Sequence, residues 1–341
     1  MKMFAGFPVV LFAATSLAAN SQSVKTNDLQ NNTIFSGNSV VTEDGKIQGR
    51  IDLYKTFVND SANSALNFVG LNNANIFFAK SLGENAKVQI NTQYGPLNIV
   101  GSPIMANNLN IVEAFVTYKK NNVQAKVGKF YSSFGSFNPF RADKSLSEEQ
   151  LSKLNNNAAE VTYVFDPKSY TKVWFVKPNS NAKEYLGAKV GHQFQKGAAK
   201  VSTEVSLLND AREIFLAPAG VTLNKANAYQ GQVVVNYGAV QLTGKVLRSN
   251  DLIVGQTKSP MISGLTVVYD TVFSGHNAKL IAEYEKASNL SALKLADKRV
   301  ALFVKAPIDN KLNLVAGVSE RKFQADNRKL RTSSIGLEAT L

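Results

Sequence analysis

The chain contains no cysteine. That excludes a disulfide framework, a thiolate metal site and a cysteine nucleophile by inventory. Histidine is nearly as scarce, with only His192 and His276 present, and neither has an obvious serine or aspartate partner for a catalytic triad. After the first twenty residues no uncharged apolar run approaches the roughly 20 residues of a spanning helix. Nor is there a compact Lys/Arg run with interleaved aromatics, so the net charge of +13 lacks the footprint of a nucleic-acid binder. No motif for a nucleotide, haem or dedicated metal occurs, and no cofactor is expected. What remains is a chain of 341 residues, 44% hydrophobic and 18% charged, which is too apolar for disorder. A mean hydropathy near zero still permits a membrane barrel, because only alternate residues of each strand meet lipid.

Residues 1–18 have the form of a signal peptide. Lys2 supplies the positive end, Phe4 to Ala14 the apolar stretch, and Ser16 and Ala18 the small residues before a cut ahead of Ala19. Residues 19–45 are rich in Asn, Ser, Thr and Gln and show little periodicity, which predicts a flexible polar N-terminal segment. From Lys46 to Leu341 a pattern of period two takes over. Ile47, Gly49, Ile51, Leu53 and Phe57 fall on one face, and Gln48, Arg50, Asp52 and Tyr54 on the other. The same alternation recurs in 86–94, 198–208, 240–246, 279–284, 299–306 and 334–341.

Sixteen such segments, with a margin of two, centre near residues 52, 76, 90, 115, 126, 162, 174, 190, 203, 233, 243, 268, 281, 303, 315 and 336. Those near 76, 174 and 190 alternate least cleanly. The connections alternate short and long. Long ones are expected at 58–72, 95–109, 132–157, 209–227, 249–261 and 286–298, with briefer ones near 179–184 and 322–330. Short inner turns and longer outer loops are the pattern of an all-β, transmembrane, antiparallel up-and-down β-barrel. Apart from Pro8, the prolines fall in loops or at strand ends, as a hydrogen-bonded ladder in lipid requires. Phe57, Tyr94, Tyr118, Phe165, Tyr229, Tyr237 and Tyr269 are placed outward near strand ends, where interfacial girdles form. A soluble sandwich or a solenoid would also alternate, but the first needs no short/long alternation of loops and the second needs a fixed repeat length.

Two stretches carry a resemblance. The last strand, Ser334-Ile335-Gly336-Leu337-Glu338-Ala339-Thr340-Leu341, resembles the C-terminal signature of outer-membrane barrels, with Leu341 in place of the usual aromatic. Val127-Gly128-Lys129-Phe130-Tyr131-Ser132-Ser133-Phe134-Gly135-Ser136-Phe137 is similar to a strand-to-loop segment of Gram-negative porins. In particular it is similar to that of the siderophore-porin group of Legionella-like bacteria, where proline is usual at the position of Ser133. The resemblance implies a cell outer-membrane location, contact with outer-membrane lipid and with the barrel-insertion machinery, and no enzymatic activity. It also implies a channel for small solutes. Passive diffusion with weak anion preference is the first reading. A substrate-specific uptake channel for iron chelates, an adhesin and an outer-membrane hydrolase are the alternatives. A homotrimer is typical of general porins and a monomer of many selective ones.

On this reading Arg50, Asp52, Lys87, Glu113, Lys126, Glu160, Lys189, Lys200, Glu204, Lys245, Glu283, Arg299 and Lys305 line the pore. By the same parity Lys172, Lys279, Asp270, Glu285 and Glu338 also face inward, while Arg321, Lys322, Arg328, Lys329 and Arg331 are assigned to loops. In 132–157, Ser145 and Glu148 form a capping box ahead of Leu146, Leu151 and Leu154. The porins it resembles fold this loop inward. Arg141, Asp143, Lys144, Glu148 and Glu149 are then candidates for a constriction, and a surface position for the loop is equally open.

Overall fold

A strand in lipid can satisfy its backbone only through neighbours on both sides, so a spanning sheet must close on itself. The computed structural model describes residues 45, 47–62, 66–95, 108–135, 145–151, 154–177, 184–215, 218, 220–256, 258–273, 275–293, 295–309, 311–323 and 325–340. The expected signal peptide and the polar segment up to residue 44 lie outside them. In chain order the strands are β1 (Ile47–Asp60), β2 (Leu66–Ser81), β3 (Ala86–Gly95), β4 (Asn108–Lys120), β5 (Val123–Tyr131), β6 (Asn155–Asp166), β7 (Ser169–Lys177) and β8 (Tyr185–Lys196). They continue as β9 (Ala199–Leu208), β10 (Ala228–Tyr237), β11 (Val240–Ser249), β12 (Met261–Phe273), β13 (His276–Ser288), β14 (Lys298–Pro307), β15 (Leu312–Phe323) and β16 (Arg328–Thr340). Among the described residues one α-helix, α1 (Leu146–Leu151), interrupts them. Each strand pairs with its sequence neighbours, and β1 closes on β16 from Arg50↔Thr340 to Asp60↔Leu330, giving a sixteen-stranded antiparallel up-and-down barrel without an edge.

All sixteen expected segments are strands. The outer loops 209–227, 250–260 and 289–297 match expectation within a few residues. Two expectations need correction. The loop expected at 58–72 shrinks to 61–65, because β1 and β2 are longer than their clean alternation shows. The register there steps from Asp52↔Asn73 to Leu53↔Leu71, so Asn72 is an extra, bulged residue. A bulge reverses side-chain parity, and a pattern of strict period two cannot be read across it. Likewise Arg321 and Lys322 belong to β15, and Arg328, Lys329 and Arg331 to β16, not to a loop.

The two faces of the wall are opposite in character to those of a soluble protein. Large apolar side chains such as Leu53, Val127, Val173, Val205 (63% exposed), Leu302 and Ile335 lie bare on the outside. Asp52, Glu113, Lys126, Glu160, Lys172, Glu283 and Arg299 are buried on the inside. A continuous apolar belt of this size is unstable against water and stable against acyl chains. All seven expected girdle aromatics are exposed. Phe57, Tyr94 and Tyr229 lie near the long-loop rim, and Tyr118, Phe165, Tyr237 and Tyr269 toward the short-turn rim.

Inside the wall, aromatic rings sit across from glycines. Trp174 lies opposite Gly187 and Tyr170 opposite Gly191, and a Cβ on either glycine would come within 2.3 Å of the facing ring. Phe303 and Tyr54 occupy the same kind of space over Gly317 and Gly336. The inward faces of β7 and β8 thus carry rings and glycines beside lysines, which is why their alternation is poor in sequence. Gly336→Ala would set its methyl 2.2 Å from the Leu53 carbonyl oxygen, whereas Gly231→Ala meets nothing within 4 Å. Urea unfolding of detergent-folded protein should therefore show Gly336→Ala less stable by about 1–3 kcal/mol, and Gly231→Ala unchanged within error.

Candidate functional site

The site grows from the end of β5. Ser132 N donates to the Leu154 carbonyl at 2.9 Å, closing the base of the loop between β5 and β6. By Gly135 the chain has left its own strands, since the Gly135 carbonyl accepts from Lys189 Nζ of β8 at 2.6 Å. The Gly135 amide also donates to Ser206 Oγ of β9 at 3.4 Å. The next described stretch opens α1, where the expected capping box is present. Ser145 N donates to Glu148 Oε2 at 2.9 Å, and Glu148 N donates to Ser145 Oγ at 3.4 Å.

Three charged groups from the far wall hold this helix. Glu285 of β13 accepts from the Leu146 amide and, at 2.7 Å, from Ser147 Oγ. Lys245 of β11 donates to Ser145 Oγ at 2.8 Å and pairs with Glu285 at 3.1 Å. Arg321 of β15 pairs with Glu149 at 2.9 Å. β13 stands eight positions from β5 in a ring of sixteen, half the circumference away. The described residues 132–135 and 145–151 therefore meet opposite sides of the barrel just inside the long-loop end. Arg321, assigned to a loop from sequence, is a wall residue and belongs to this tether. Of the expected constriction residues, Glu148 serves the capping box and Glu149 the tether, while Arg141, Asp143 and Lys144 lie outside the described residues.

Other loops fold toward the same place. Phe134, Leu146, Leu151 and Leu154 join Ile214 and Phe215 from 209–227, Leu252 and Ile253 from 250–260, and Leu290 and Leu293 from 289–297 in one buried apolar cluster. A bridge between Leu223 and Ile253 ties two of these loops together. The long-loop end is thus packed like a small core.

The structure pairs most of the charges that parity assigns to the inner wall. On the inner wall Lys172 faces Glu160 at 3.8 Å, Lys189 faces Glu204 at 3.4 Å and Arg299 bonds Glu283 at 2.6 Å. Arg50 bonds Asp52 at 2.9 Å, and Lys305 bonds Glu338 at 2.5 Å. Tyr54 OH donates to Glu338 at 3.0 Å. Asn91 Nδ2 donates to Glu113. Lys126 Nζ lies between the rings of Phe115 and Phe130, 4.0 and 4.1 Å from their centroids, a desolvated cation–π sandwich. Lys87 and Lys200, half-buried, stand near the short-turn end, and Lys279 and Asp270 form an exposed pair there at 3.4 Å. Tyr170, which donates to Glu204 at 2.5 Å, and the buried Trp174 were missed from sequence. Both share inward parity with Lys172.

One expectation about histidine is overturned. His192 does have a serine partner, because Ser169 Oγ lies 2.9 Å from its Nδ1 across β7 and β8. The pair was hidden because cross-strand register is not written in local sequence. Asp166 bonds Ser169 and not the ring, so the order differs from a triad, in which histidine bridges serine and aspartate.

No protein-family model matches the chain, and no curated protein matches it. Solved structures do. OprB of Pseudomonas putida superposes with a TM-score of 0.62 at 9% identity, covering 87% of this chain and 94% of that one. The anion-selective porin from Comamonas acidovorans gives 0.58 at 12% identity, over 87% and 99%. OmpT, an outer membrane protein of Vibrio cholerae, gives 0.57 at 14% identity, over 89% and 100%. These likenesses concern the fold and do not bear on the resemblance to siderophore porins. With its closed sixteen-stranded wall, apolar exterior and charged interior, the chain is a membrane-spanning barrel built like those of the bacterial outer membrane.

Proposed function

We propose that this protein is a porin, exported by its N-terminal signal, which lets small hydrophilic solutes diffuse across the outer membrane through a narrowed, weakly anion-preferring channel. The observation that carries the reading is the tethering of Gly135 and of α1 to opposite sides of a charged interior by Lys189, Lys245, Glu285 and Arg321. Chain held inside the lumen adds nothing to closure of the wall, and it narrows the passage on which selection by size depends. Most inward charges neutralise one another in pairs, which leaves little net selectivity. Lys200, half-buried near the short-turn end, tips the balance toward anions.

The likeness to an anion-selective porin supports this reading at the level of fold, and one neighbour, OmpT, is described in a trimer form. A homotrimer is the assembly we propose. Among the described residues the wall gives no acid/base constellation facing a substrate cleft, and a non-enzymatic role fits them better than the exposed Ser169–His192 pair fits hydrolysis.

A substrate-specific uptake channel, for iron chelates or another polar solute, is the second reading. One observation favours it. On the inner wall of β6 and β7, Glu160 Oε1 and Oε2, Thr162 Oγ1, Lys172 Nζ and Trp174 Nε1 are buried without a protein hydrogen-bond partner. Unfilled capacity of this kind suits ordered water or a passing solute.

In planar bilayers, deleting 142–156 should raise single-channel conductance, and unchanged conductance would refute a constricting role. Arg321→Gln, which cuts one tether, should broaden the open-state current without changing strand content by circular dichroism. Under a salt gradient the reversal potential should show a small anion preference that shrinks as ionic strength rises. Clear cation selectivity would count against the assignment. Saturable block of the current by an iron chelate, lost in Lys172→Met, would move the weight to the second reading.

A further inference from the structure

The outward face of the last four strands carries an arrangement that a channel does not need. The register sets Lys286 of β13 directly opposite Lys298 of β14. Lys298 stands opposite Lys322 of β15, and that residue stands opposite Lys329 of β16. Four lysines thus form one unbroken row across four strands at the long-loop rim. With strands spaced about 4.8 Å apart, the row is roughly 14 Å long. All four point outward. Their chain neighbours Glu285, Arg299 and Arg321 are the buried, inward residues, and Tyr284, Val300 and Val318 on their own face are exposed.

Like charges directly opposite in a sheet repel, so the row costs stability unless something anionic sits on it. The wall offers little. Glu320 lies 3.8 Å from Lys322 and 2.7 Å from Arg331, which adds a fifth cation, and Lys298 rests 5.1 Å from the centroid of the Tyr284 ring. Directly below come Val300, Leu302, Val304, Val318, Leu314, Ile335 and Leu337, the bare apolar belt. The lysines therefore sit at the height where acyl chains end and headgroups begin.

We infer that the lysine row Lys286–Lys298–Lys322–Lys329 binds the phosphates of phosphorylated glycolipid in the outer leaflet, with the acyl chains lying on the apolar belt beneath. A second copy of the chain is a poorer occupant, since a symmetric contact would set cations against cations. The inference needs the barrel to sit in the outer membrane with its long loops outside, but it does not depend on what the channel conducts.

The test titrates the full-length folded protein, in detergent micelles, with bis-phosphorylated lipid A and with lipid A stripped of its phosphates. The wild type should bind the phosphorylated lipid with an affinity that falls in high salt. Combining Lys286→Gln, Lys298→Gln, Lys322→Gln and Lys329→Gln should weaken that binding by about 600-fold, each lysine near a charged surface being worth about fivefold. Four changes at the short-turn end, Lys120→Gln, Lys168→Gln, Lys196→Gln and Lys311→Gln, should leave it intact. The quadruple Lys→Arg variant of the row should retain binding and guards against misfolding of the neutral one. Equal affinity for the two lipids would overturn the inference. So would binding unaffected by the row, or loss of an oligomer in lipid-free micelles as the only effect. Conductance of the row variant, expected to be unchanged, separates this outcome from any failure of the channel reading.

Discussion

Lipid offers no hydrogen bonds, and that one constraint orders everything else in this protein. Each strand must find partners on both sides, so the sheet closes through β1 and β16 and leaves no edge. Closure then divides every strand into an outer face that must be apolar and an inner face that is free to be polar. The short/long alternation of connections follows from the same up-and-down path.

With the backbone satisfied by the ring, the interior can carry charge without being asked to hold the fold together. Its ion pairs are therefore weak evidence of stability, and better understood as devices that fix position. Arg321 and Glu149, and Lys245 with Glu285 and Ser145, set where a stretch of chain lies across the lumen. The glycine–aromatic pairs do similar work sterically. Gly187 and Gly191 let Trp174 and Tyr170 lie flat against the wall instead of filling the passage. Gly128, in the porin-like segment, stands opposite Phe115, whose ring with Phe130 encloses Lys126, so that short motif has a packing role at the root of the loop.

The sequence legibly contained the barrel. Alternation of period two placed all sixteen strands and the outward aromatics, because one face touching lipid and one touching water is a strictly local requirement. The Ser145–Glu148 capping box was equally local, since both partners lie within one helical turn. Legibility failed where parity was broken or where both faces were alike. Asn72 shifts the phase within β2, and β7 mixes Tyr170 and Trp174 with lysine on its inner face.

What the sequence by itself determined is thus the wall: how many strands, which side of each is greasy, and which end bears the long loops. Only the tertiary structure decided what the wall encloses and displays. The meeting of Arg321 with Glu149, of His192 with Ser169, and of four lysines in one row each depends on register between segments far apart in the chain. Alternation fixes the face a side chain takes, but the neighbour it meets there is set by how the ring closes and by how far each strand is staggered against the next.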